Sequence, residues 1–70
     1  MKALRELRTG AGMTLSDMAL RTGVSRQAVW EWENLDTWPA APLIPKIAKA
    51  LGCTADELFR KEFERAEKEA

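Results

Sequence analysis

Two short helices sharing one tight corner are spelled out between Leu15 and Glu33, LSDMALRTGVSRQAVWEWE, and no other stretch constrains the chain as much. Met13-Thr14 precedes the first segment, with Asp17 three residues after the threonine, and Val24-Ser25 precedes the second. Threonine and serine are strong N-caps, because their hydroxyls accept from N–H groups that a helix's first turn leaves unpaired. A hydrophobic residue before each cap can pack on one five positions later, pairing Met13 with Met18 and Val24 with Val29. Gly23 suits the left-handed position that ends a helix. Ala19 is small where two crossing helices approach. The second helix opens on polar residues, Arg26 and Gln27, which gives it a hydrophilic leading edge.

The remaining signals predict an all-α chain of five helices with no strand pattern. The first helix spans about residues 2–10, with Leu4 and Leu7 inward and Gly10 and Gly12 as breakers. The second and third lie near 15–22 and 26–34. A linker, Leu35 to Ala41, follows, and Pro39 disfavours helical geometry at Trp38. Ile44, Ile47, Ala48 and Leu51 mark a fourth helix ending at Gly52, and Pro45 predicts an irregular or 3₁₀ lead-in. Thr54 and Glu57 form a capping box for the fifth helix, which Cys53 and Leu58 can staple. Past Phe59 the chain is highly charged and carries a narrow apolar stripe, Phe59, Phe63, Ala66 and Ala70, with Glu64 and Lys68 four apart. The expected organisation is a folded body over 1–59 and a charged helical extension or tail over 60–70. That extension is expected either to fray in solvent or to seat a partner helix.

Composition excludes more than it selects. Seventy residues make one domain, and a chain of that size buries only about 60% of its unfolded surface. With no histidine and one cysteine, Cys53, no disulfide framework or zinc site is expected within the chain. Cys53 is expected to pack as a small buried thiol. No run approaches the ~18 apolar residues of a membrane span and the N-terminus lacks a signal-peptide core, so a reducing, cytoplasmic setting is expected. Gly10-Ala11-Gly12 is too short to cradle a phosphate. No catalytic, metal, cofactor or small-molecule site is expected, and an enzyme is not. Eleven basic residues cancel eleven acidic ones, and the pI of about 6.2 lies below the basic range usual for nucleic-acid binders.

Several pieces in order, LRELR, MTLSDMA, GVSRQAVWEWE, Pro39 and IAKALGCTADELF, resemble the lambda-repressor-like helix-turn-helix family, the Cro/C1 (XRE) type of bacterial and phage regulators. The resemblance runs from Leu4 to Phe59. It implies a compact five-helix bundle whose second and third helices form the helix-turn-helix and whose third helix enters the major groove. It also implies a structural ion pair between Arg8 and Glu33, with Trp32 and Val29 in the core.

The resemblance leaves Arg26, Gln27, Trp30 and Glu31 on the outward face of the third helix, with Thr14 and Ser25 as caps that can also meet phosphate. Arginine pairs bidentately with guanine and glutamine with adenine. The sequence departs from the family at Leu15, where a phosphate-reaching glutamine is common, and at Glu31, where a cation is common. It departs again at Trp30, where small polar residues are usual, and at Asn34-Leu35, where a glycine is missing. The implied function is a sequence-specific DNA-binding transcriptional regulator, a repressor, acting as a homodimer on a palindromic operator. The alternative is a protein-interaction module on the same fold, presenting Trp30, Trp38 and Leu15.

Overall fold

Threonine and serine hydroxyls start three of the five α-helices in the computed structural model, which describes residues 1–69 and side chains 1–67. The elements are α1 (Ala3–Gly10), α2 (Leu15–Thr22), α3 (Arg26–Asn34), α4 (Ile44–Leu51) and α5 (Ala55–Glu69). A 3₁₀ turn over Ala41–Leu43 leads into α4, which places Pro45 in the first helical turn, where its missing N–H breaks no bond. The described residues contain no strand. Ala70 and the Lys68 side chain, the far ends of the stripe and of the charge pair, lie outside the described residues.

The corner follows from local chemistry. Thr14 accepts from the Asp17 N–H at 3.1 Å while the Asp17 carboxylate accepts from the Thr14 N–H at 2.9 Å, a closed capping box on α2. Gly23 ends α2 at φ 75°, and its N–H donates to the Ala19 carbonyl. The Ser25 hydroxyl then accepts from the Ala28 N–H at 3.1 Å to start α3.

Every helix contributes to the core. Leu4, Met18, Val29, Ile47 and Leu58, one from each helix, are all fully enclosed. Burial of such a side chain stabilises by about 1.5–3 kcal/mol, so each helix is anchored by at least one full contribution. Trp32 is also buried, at 7% exposure. Cys53, expected to be buried, is only half-buried and unbonded.

The ends of the chain are tied together. α1 has no cap of its own; instead the Ala3 and Lys2 N–H groups donate to the Glu62 carboxylate of α5 at 2.7 and 3.1 Å. Arg65 pairs with Glu6 one turn further along. The Met1 amino group donates to the carbonyls of Trp32 (2.7 Å) and Thr37 (3.1 Å), pinning α3 and the linker to the start of α1. Trp38 stacks on Phe59 and Phe59 on Phe63, with ring centroids 6.1 and 6.4 Å apart. α5 therefore passes residue 60 without a break and lies along α1.

Candidate nucleic-acid interface

One buried ion pair sets the attitude of α3. Arg8 donates from Nε to Glu33 Oε2 at 2.7 Å and from Nη2 to Glu33 Oε1 at 3.0 Å. Its third donor, Nη1, reaches the Met13 carbonyl at 2.8 Å. α1, the turn before α2 and the last turn of α3 thus meet on one guanidinium. The planar fork of arginine fits a carboxylate on two bonds and fixes orientation as well as distance. Hydrogen bonding to Glu33 raises the Arg8 pKa further above its already high value.

At the other end of α3, Ser25, Arg26 and Gln27 are exposed. Trp30 lies one turn on at 46% exposure, and Glu31 beside it is half-buried. Arg26, Gln27 and Trp30 are spaced i, i+1 and i+4, so they share one face. Leu15, the first residue of α2, is half-buried and joins them as the fourth wall of a shallow open groove of about 340 Å³. α5 is tied to α1 through Glu62 and Arg65, and no described residue of α5 lines the groove at the α3 tip.

The two helix starts differ electrically. A helix N-terminus carries roughly half a positive charge. At α2 the Asp17 carboxylate already occupies it, and hydrogen bonding to the Thr14 N–H, then to the Thr14 side chain, lowers the Asp17 pKa. Thr14 is thereby committed to its capping box. The first turn of α3 holds no acid, and its positive end is open toward the solvent that Arg26 and Gln27 face.

Other residues fall elsewhere. Trp38 lines a separate recess with Met1, Lys2, Asp36, Glu62, Arg65 and Ala66, so Trp30 and Trp38 do not share one groove. The missing glycine after Glu33 is replaced by another device: Leu35 is extended, and the Asn34 side chain donates to the Trp30 carbonyl at 2.9 Å. A feature the sequence reading passed over is a broad, open, basic groove of about 630 Å³ between α2 and α4. Arg21, Lys46 and Lys49 line it, beside a Leu20 that is 84% exposed. Its signal was available, since Leu20 falls off the inward spacing of Met18, Ala19 and Thr22. Burial, then the neighbouring Glu57, pushes the Cys53 thiol up and makes it a poor nucleophile. The described residues contain no cluster able to hold a metal and no helix long and apolar enough to cross a membrane.

A helix-turn-helix family model matches residues 4–58. The chain is also 36% identical over 59 residues to the HTH-type transcriptional activator BcrR of Enterococcus faecalis. That alignment covers 84% of this chain and 29% of the relative, so the chain spans under a third of that protein's length.

Proposed function

Since the chain belongs to the helix-turn-helix family, matched over residues 4–58, we propose that it is a DNA-binding transcriptional regulator that reads a specific duplex sequence with α3. One observation carries the reading: Arg26 and Gln27 project together, exposed, from the acid-free tip of a helix whose attitude is set by the buried Arg8–Glu33 pair. The tip would enter the major groove, with Arg26 on guanine O6 and N7 and Gln27 on adenine N6 and N7. Trp30 and Glu31 continue the same face, and Ser25 keeps the first turn formed. No chemistry is asked of the protein. Its effect comes from occupying a site, and repression by occlusion is the simplest output because it needs occupancy alone.

A single domain of this kind covers one half-site, so useful specificity calls for two copies on a palindrome. The test is selection from random duplexes at fixed salt. Enrichment of one palindromic sequence is expected; no enrichment overturns the reading. Arg26→Ala should then cost about 1–3 kcal/mol at the guanine it reads and relax preference there. An unchanged preference removes Arg26 from the reading set.

A further inference from the structure

The groove at the α3 tip has two chemically different sides. Arg26 and Gln27 supply hydrogen-bond donors, whereas Leu15 and Trp30 supply an apolar wall drawn from two helices. The wall is not core that has slipped outward. Trp30 is 46% exposed, while its neighbours Val29 and Trp32 are buried, so the indole is held on the outside of α3. The Asn34 side chain bonds the Trp30 carbonyl and holds the helix regular through that turn.

The occupant follows from what a duplex offers there. Among the base edges in the major groove, the apolar group is the thymine C5 methyl. A helix tip presenting two purine-reading side chains beside an apolar wall is complementary to a purine next to a thymine. Resting on the DNA-reading proposal above, we propose that Leu15 and Trp30 form a thymine-methyl subsite, so that the chain recognises a methyl group beside the bases read by Arg26 and Gln27. Leu15, at odds with a phosphate-reaching role, then has one: it closes the wall against which the methyl packs. Glu31 stays half-buried at the margin and takes no part.

The test uses the duplex recovered by selection, with each thymine replaced singly by deoxyuridine, which keeps pairing and every hydrogen bond but removes the methyl. Fluorescence anisotropy with the whole chain should show about a fourfold loss of affinity at one position per half-site, the ratio for one methyl-sized group withdrawn from water. Trp30→Ala and Leu15→Gln should bind the thymine and uracil duplexes equally, with circular dichroism confirming the fold. Arg26→Ala should retain the thymine preference while losing the guanine preference. Equal binding of all uracil duplexes by the unaltered chain overturns the subsite while leaving base reading intact. A thymine preference that survives in Trp30→Ala also overturns it, since a duplex-stiffness effect would persist without the indole. If no duplex is enriched, the DNA-reading proposal fails first and the subsite with it.

Discussion

Removing the Glu33 carboxylate should come close to unfolding the protein. Arg8 is 8% exposed and makes three hydrogen bonds, two of them to Glu33. In Glu33→Ala its guanidinium, which cannot shed its proton, keeps only the Met13 carbonyl. Stranding one member of a buried pair costs about 3–5 kcal/mol. At roughly 0.05–0.15 kcal/mol per residue, a chain of this length holds a total of about 4–10 kcal/mol. The single substitution therefore removes roughly 30% of the stability at least. Arg8→Met should do comparable damage by leaving a buried carboxylate.

The double variant Arg8→Met/Glu33→Leu behaves differently, because it fills the space without a charge. It should lie within about 1 kcal/mol of the starting protein or above it, since apolar replacement of a whole buried pair is often neutral or stabilising. Urea titration followed by far-ultraviolet circular dichroism and by tryptophan fluorescence measures all four proteins. Trp32 adjoins Glu33 and is buried, so its emission reports on this region. Losses below about 1 kcal/mol in both single variants would refute the account, because the pair would then behave as an exposed one.

Three further outcomes follow from the caps and from the α3 face. Glu62→Ala should cost about 0.5–2 kcal/mol, the value of a lost N-cap, because Ala3 and Lys2 then open α1 without an acceptor; an unchanged urea midpoint would refute it. Hydrogen bonding to Thr14, with Arg21 adding attraction, holds the Asp17 carboxyl below its ordinary value of 3.8. Its stabilising effect is therefore full above that value and disappears as pH falls through the lower, folded-state one. The urea-midpoint gap between the protein and Asp17→Asn should narrow as pH falls from 6 to 2.5, and a constant gap contradicts the assignment. Glu31→Lys should tighten duplex binding and steepen its salt dependence, since each further neutralised phosphate adds about 0.9 to the slope; an unaltered slope places position 31 away from the backbone.

Legibility in the sequence depended on how far apart the interacting residues stand. Thr14 with Asp17, Ser25 with Ala28 and Thr54 with Glu57 interact across three positions, and spacing alone predicted where their helices start. The same holds for Gly23 and Gly52, which end helices at positive φ. The Arg8–Glu33 bond spans 25 positions, and nothing in spacing calls for it; it came from the resemblance to a family. The tie between α1 and Glu62 spans 59 and escaped altogether. A helix starting at Met1-Lys2 shows no cap, and the carboxylate that supplies one sits in a run of alternating charges where no glutamate stands out. The outward placing of Arg26, Gln27 and Trp30 on α3 came, like the ion pair, from the resemblance to a family, whereas Leu15 joins their groove through the corner angle, which sequence spacing does not encode.

A net charge of zero is less adverse to duplex binding than it sounds once the charges are located. Asp17, Glu57 and Glu62 sit on helix starts, where the helix's own partial positive charge offsets them. Glu33 is buried against Arg8, and Glu6 is paired with Arg65. Five of the acids are thus engaged with the chain's own donors. The side chains of Arg21, Arg26, Lys46 and Lys49 by contrast make no ion pair or hydrogen bond among the described residues, and all four residues are exposed. The surface around α2, α3 and α4 is therefore more positive than the formal sum, but it is a local patch with few cations. Non-specific attraction scales with the number of phosphates neutralised, so few cations leave that term small. Under the proposed function, discrimination then has to come from the groove lined by Arg26, Gln27, Leu15 and Trp30. Such a protein would bind random duplex weakly and owe most of its affinity for a chosen site to base edges.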